Sequence, residues 1–162
     1  MDAALRIVPT DLHNPAHAAA FVDLLDAYAR DPMGGGTGLP EAVRTALPQK
    51  LCERAGFVSF LALAGDEAVG LINCFEGFST FAAQPLLNVH DIAVLPAYRR
   101  RGIARALIAA VEDAARQRDC CKLTLEVLSS NHTAMTAYAR QGFAPYELDP
   151  AAGQAVFLQK WL

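Results

Sequence analysis

No apolar stretch in this chain of 162 residues approaches the roughly 20 residues that a membrane-spanning helix needs. Residues 1–9 have neither a basic n-region nor an apolar h-region, so no secretory leader is read there. The four cysteines, Cys52, Cys74, Cys120 and Cys121, form no Cys-x-x-Cys pair, which argues against a zinc site and a disulfide framework. Positive charge is not in excess either: 14 Lys and Arg stand against 17 Asp and Glu, for a net charge of -3, and no global basic field invites nucleic acid. Internal repeats are missing, as is low-complexity sequence beyond Gly34-Gly35-Gly36. These lacks lead to the expectation of a cytoplasmic protein with reduced thiols and no metal, membrane or nucleic-acid partner.

Hydrophobic residues are abundant at 53%, enough for a sizeable core although many are alanines, and the length suits one domain over residues 1–162. Residues 5–8 read as a strand, and residues 15–30 as a helix with Phe21, Val22, Leu24, Leu25 and Tyr28 at helical spacing. A glycine loop follows from Asp31-Pro32, then a second helix from Pro40 that Pro48 is expected to break, leaving a separate turn to Arg54. Residues 57–64 and 68–78 form an antiparallel hairpin pattern around Gly65-Asp66-Glu67. The next strand, residues 86–95, alternates so that Asn88, His90, Ile92 and Val94 share one face and Val89, Asp91, Ala93 and Leu95 the other. Helical periodicity from Gly102 to Arg116, a strand at 122–128, a helix at 133–140 and two strands flanking residues 149–153 complete the reading.

The most informative stretch is the strand followed by Pro96-Ala97-Tyr98, then Arg99-Arg100-Arg101-Gly102-Ile103-Ala104 and a strong helix. A helix start presents N–H groups without internal partners and a positive dipole end, so backbone donors there suit a pyrophosphate. Gly102 lets the backbone approach closely, and the arginines add positive charge. Neither Gly-Lys-Ser/Thr nor Gly-x-Gly-x-x-Gly is present, which excludes the common nucleotide fingerprints. Alone, the basic triplet reads as a solvated turn; the glycine, alanine and helix that follow give it a ligand.

Here the chain resembles the GCN5-related N-acetyltransferase family, whose acyl-CoA motif, Arg/Gln-x-x-Gly-x-Gly/Ala, is matched by Arg99, Gly102 and Ala104. A second match lies in Asn131, Ala134, Tyr138, Gly142 and Phe143, similar to the family's Asn-x-x-Ala-x-x-x-Tyr-x-x-x-Gly-Phe pattern. The resemblance implies an α/β fold: a mixed, mostly antiparallel central sheet with splayed strands, flanked by helices. It implies acetyl-CoA as co-substrate, held by Arg99, Arg100, Arg101, Gly102, Ile103 and Ala104 and by the backbone of Ile92, Ala93 and Val94. It also implies that Asn131 binds the cofactor and that Tyr138 protonates the departing thiolate, a transfer that phenol and thiol pKa values near 10 and 8.5 permit. A homodimer stays open, with no interface legible in the sequence.

The general base is less constrained. His90 is the first candidate, because imidazole accepts protons at neutral pH and relatives often carry Glu or His on this strand. Asn88 orients a water on the same face, and Asp91 and Glu126 are weaker candidates. His13, His17 and His132 lack metal-ligand spacing. Phe75, Phe78 and Phe81 read first as core; with the loop at residues 31–38 they also suit an acceptor wall, where Asp31, Glu41 and Glu76 attract a cationic amine. The expected activity is acetyl transfer to a primary amine by direct attack, with small cationic amines favoured. Two alternatives stand beside it: a non-catalytic acyl-CoA-sensing module, and an enzyme acting on protein lysine or an N-terminus.

Overall fold

The computed structural model describes residues 4–146, 149, 151, 153 and 155–162. They fall into two units, Met1–Leu125 and Glu126–Leu162. The first contains β1 (Leu5–Pro9), α1 (Pro15–Arg30), α2 (Glu41–Cys52), β2 (Phe57–Ala64), β3 (Glu67–Ser79), β4 (Gln84–Val94), α3 (Ile103–Gln117) and β5 (Leu123–Leu125). The second contains α4 (His132–Ala139). No helix among the described residues is long and apolar enough to cross a membrane.

The strands form one sheet in the order β1-β2-β3-β4-β5, antiparallel except for the parallel β4–β5 pair. Its mixed, largely antiparallel character is as expected. Neighbouring residues of β3 show which helix covers which face. Leu71 stands opposite Leu61 and packs with Leu24 of α1. A Cβ on Gly70, pointing the other way, would lie 3.4 Å from both Ile103 and Leu107 of α3. The sheet is therefore layered between α1 and α3.

Local chemistry explains both helices. Asn14 starts α1 by accepting from the Ala16 and His17 N–H groups, and Pro15 opens the first turn with a φ already suited to helix. In α3 the 3.6-residue period buries Ile103, Leu107, Ile108 and Val111, each contributing about 1.5–3 kcal/mol when fully removed from water.

Four expectations are corrected. First, α2 runs straight through Pro48 instead of breaking there. One ladder bond is lost, but the helix is anchored from outside, because Arg44 pairs with Asp23 at 3.1 Å and with Asp26 at 2.8 Å. Second, the alternation of β4 is interrupted: Asp91 pairs with Asn73 and Val89 with Cys74, leaving His90 as an extra, bulged residue. Third, β5 spans only Leu123–Leu125, since β4 pairs with it only from Leu87 to Val89. Fourth, of the two strands expected around residues 149–153, positions 147, 148, 150, 152 and 154 lie outside the described residues, and residues 143–146 and 155–162 form no strand. A strand needs a ladder partner, and among the described residues the sheet ends at β5.

The segment after α1 is tied down by Asp26, a buried carboxylate. It accepts from Arg30 Nε at 2.9 Å and the Leu39 N–H at 2.7 Å, and it also pairs with Arg44. The Arg30 hydrogen bond, followed by the Leu39 N–H, holds its carboxyl below the ordinary value of 3.8, against the opposing effect of burial. A carboxyl lowered on folding contributes stability that is present above its unfolded pKa and lost as pH falls through the folded one. Wild-type stability should therefore fall below about pH 4, and Asp26→Asn should be destabilised near neutrality yet lose less on acidification. Urea unfolding of both proteins at about pH 7 and about pH 3 reads the difference, which should shrink at the acid end.

Candidate active site

The end of β4 leads through a single 3-10 turn, Pro96–Tyr98, to the start of α3. Arg99 is extended, Arg100 has φ +65° and Gly102 has φ +80°. Left-handed backbone at a non-glycine residue costs about 1–2 kcal/mol, so Arg100 stores strain at this turn. Gly102 is the N-cap of α3 and brings no capping side chain, and the first helical bond runs from Ala106 N–H to the Gly102 carbonyl. The N–H groups of Ile103, Ala104 and Arg105 thus precede the intrahelical ladder. A Cβ on Gly102 would meet nothing within 4 Å. Donors without a side-chain cap beside open space fit a pyrophosphate.

The three arginines differ in what they do. Arg99 turns back from the helix start: its Nε donates to the Val94 carbonyl at 3.0 Å and its Nη2 to Asp31 Oδ2 at 2.8 Å. Through these two bonds it braces the loop. Arg101 lies over the Tyr98 ring at 5.2 Å, and the Tyr98 hydroxyl donates to Glu67 at 2.7 Å. Arg100, on the strained residue between them, is exposed.

The bulge at His90 reorders β4. Asn88 stands opposite Phe75 on the α1 face, where rings of Phe21, Phe57, Phe75 and His90 follow one another at 6.2, 5.4 and 5.2 Å. Beyond the bulge Asp91 and Ala93 occupy that face, opposite Asn73 and Leu71, while Ile92 and Val94 face α3 opposite Ile72 and Gly70. Asp91 consequently shares a face with Asn88 and not, as expected, the opposite one. The ladder also sorts the backbone groups. Leu95 N–H donates to Val69 O, so by antiparallel alternation the groups of Ala93 point into β3 and those of Ile92 and Val94 point to the outer edge. Ala93 is thereby removed from the expected cofactor donors, and the Val94 carbonyl is taken by Arg99.

His90 is exposed, with Nδ1 3.1 Å from Asn88 Oδ1. The Asn88 amide nitrogen donates to Thr124 Oγ1 at 3.1 Å, which turns the amide oxygen towards His90. An oxygen there can only accept, so Nδ1 is the donor in this contact, and in the neutral ring Nε2 is then the acceptor. The sequence reading missed a polar thread beside this pair. Thr10 and Ser59 hydroxyls meet at 2.8 Å, Ser59 donates to Asn73 Oδ1 at 2.9 Å, and Asn73 Nδ2 donates to Asp91 Oδ2 at 3.1 Å. The available signal was two polar residues, Ser59 and Asn73, at buried positions in otherwise apolar strands. Burial, then Asp91 and Asp31, push the Tyr28 phenol above its ordinary 10.0. Burial pushes the Cys74 thiol up to about 12, which keeps it protonated and excludes it as a nucleophile.

The expected acidic wall does not assemble. Asp31 is paired with Arg99, Glu41 lies 3.8 Å from Arg44, and Glu76 stands opposite Leu87 on the face turned to α3. Phe75 belongs to the aromatic row, whereas Phe78 and Phe81 are exposed.

In the second unit, Asn131 Oδ1 accepts from the Ala134 N–H at 3.1 Å and caps α4. At the other end Gly142 has φ +88°, its N–H donates to Ala139 O, and the Phe143 N–H donates to Tyr138 O. These are the bonds of a Schellman ending, and the Tyr138 and Phe143 rings, 5.8 Å apart, make the apolar contact that accompanies it.

The acetyltransferase (GNAT) family model matches residues 21–143, most of the chain. The chain belongs to the GNAT acetyltransferase family. It is 38% identical over 102 residues to streptothricin acetyltransferase of Streptomyces lavendulae, a match covering 63% of this chain and 52% of that enzyme, about half its length. With thialysine N-epsilon-acetyltransferase of Caenorhabditis elegans it shares 27% identity over 113 residues, 64% of this chain and 70% of that one. Aminoglycoside N-acetyltransferase AAC(6')-Iy, solved in complex with CoA, superposes with a TM-score of 0.78 over 99% of this chain and 97% of the other, at 20% identity, and so shares the fold.

Two glycines with similar backbone and open surroundings now make a matched pair. Gly102→Ala and Gly142→Ala each place a side chain at positive φ without a packing clash, so each should cost about 1–2 kcal/mol of stability in chemical unfolding. Losses above about 3 kcal/mol would show that packing, rather than backbone strain, governs these positions.

Proposed function

We propose that residues 1–162 act as one domain that transfers acetyl from acetyl-CoA to the primary amine of a small cationic molecule. The observation that carries the reading is the start of α3, where donors without a side-chain cap adjoin the open space at Gly102 in a chain of this family. Ile103, Ala104 and Arg105 would donate to the pyrophosphate, with Arg100 adding charge. Ile92 and Val94, whose backbone groups point to the outer edge of β4, would hold the pantetheine arm. The relatives named for streptothricin and thialysine support a small amine acceptor. A net charge of -3 and the place of Asp91 on the α1 face agree with a cationic one.

The amine must be neutral to attack, and its proton passes, directly or through water, to His90 Nε2, the ring nitrogen that does not face Asn88. The amine nitrogen then bonds to the thioester carbon, a backbone N–H stabilises the oxyanion, and collapse breaks the carbon–sulfur bond as the nitrogen releases its surplus proton to water. Tyr138, at its position in the family motif, would return a proton to the departing thiolate, leaving CoA and the N-acetyl product.

Thiol release from acetyl-CoA over a panel of small amines tests the assignment, with peptide lysines as comparison. Acetyl-CoA binding without thiol release from any amine would convert the reading to a sensing module. Tyr138→Phe should lower kcat by about 100-fold or more while acetyl-CoA affinity changes less than about two-fold; equal losses in both would remove the acid role.

The His90 assignment has its own signature. His90→Gln should flatten the rise of kcat/KM with pH, whereas Asn88→Ala should lower kcat/KM by about 10-fold and keep the rise. An unchanged profile in His90→Gln would pass the base role to Asp91.

A further inference from the structure

The Arg99 side chain connects two loops whose contacting residues are 68 positions apart in sequence. One is the turn that sets the start of α3; the other is the glycine loop after α1. Asp31 organises the first part of that second loop, whose far end is held by Asp26. Its Oδ1 accepts from the Met33 N–H at 2.9 Å, and its backbone carbonyl accepts from Gly34 at 2.8 Å and Gly36 at 3.1 Å. The remaining oxygen, Oδ2, takes Arg99. Arg99 cannot swing independently, because Nε is held by the Val94 carbonyl at the end of β4.

The backbone on the other side of Arg99 is the strained part of the turn, with positive φ at Arg100 and Gly102. A ligand gripping the N–H groups of Ile103 and Ala104 restrains that backbone. The restraint reaches Asp31 through one side chain fixed at two points. We infer that the Arg99–Asp31 pair couples occupancy of the α3 cradle to the order of the glycine loop, making Asp31 a positioning residue. This inference rests on the cofactor reading above. The Arg99 hydrogen bond, then the Met33 N–H, hold the Asp31 carboxyl below its ordinary 3.8, so the pair is charged at neutral pH. Coupling is reciprocal by linkage: whatever immobilises the glycine loop also strengthens binding at the cradle.

CoA alone is the probe, with its binding followed by calorimetry and the loop by hydrogen exchange over residues 32–38. In the wild type, CoA should slow exchange at residues 33–36 by about five-fold or more. Asp31→Asn keeps an acceptor for Met33 but no charge for Arg99; it should bind CoA with affinity within about three-fold of wild type and lose the slowing. Arg99→Lys keeps the charge without the two-point grip and should lose the slowing as well, which decides the matter should Asp31→Asn loosen the loop even without CoA. CoA binding without slowed exchange in the wild type, or slowing retained in both variants, overturns the coupling and leaves the cofactor reading intact. Absence of CoA binding to the folded wild type overturns both.

Discussion

One inserted residue in β4 governs the architecture of the first unit. At His90 the strand carries a residue that β3 does not match, and a bulge of this kind bends the strand and exchanges the facing of every side chain beyond it. Asp91 and Ala93 are thereby delivered to the α1 side, and Ile92 and Val94 to the α3 side. The ladder with β5 covers only the residues before the bulge, Leu87 to Val89. Backbone groups beyond it therefore point to an edge that β5 does not pair. Were His90 to take a regular ladder position opposite Asn73, Asp91 would stand opposite Ile72 and project into the apolar layer beside α3, where an unpaired carboxylate is costly.

Polar chemistry on the α1 face is made tolerable by the thread from Thr10 to Asp91. Each buried member gives or receives a hydrogen bond, and the distances lie between 2.8 and 3.1 Å. Asn73, 2% exposed, is its centre, accepting from Ser59 and donating to Asp91. A carboxylate beside the aromatic row is thus oriented by an amide locked in place from the β1–β2 edge of the same face. The thread shares its face with His90 and Asn88, so the bulge brings two polar groups to one side of the sheet. One is a base candidate with its tautomer set; the other is a fixed negative charge.

Much of this was legible in the sequence, for identifiable reasons. The period of α3, the hairpin of β2 and β3 and the start of α1 follow from local spacing and capping, which need no knowledge of distant partners. The bulge was not legible, because strict alternation through residues 86–95 is consistent with a regular strand, and only the pairing with β3 shows the extra residue. Helix α2 survived Pro48 through Arg44, whose partners Asp23 and Asp26 belong to another helix. The same limit hid the role of Arg99: its motif position suggested a phosphate ligand, while its partner lies in a loop read for a different purpose.

The second motif shows how a resemblance mixes structure with chemistry. Asn131, Ala134, Gly142 and Phe143 describe a short helix closed at both ends: a side-chain cap at the start, a left-handed glycine at the finish and a ring contact across the final turn. An eight-residue helix is marginal in water, so both closures are needed for it to form. Nearly every fixed position in the pattern is accounted for by that need, and the Tyr138 ring is partly accounted for too. A phenylalanine would make the same contact with Phe143. A structural requirement explains the spacing of the motif, and the proposed proton donation would give a reason for tyrosine rather than phenylalanine at Tyr138.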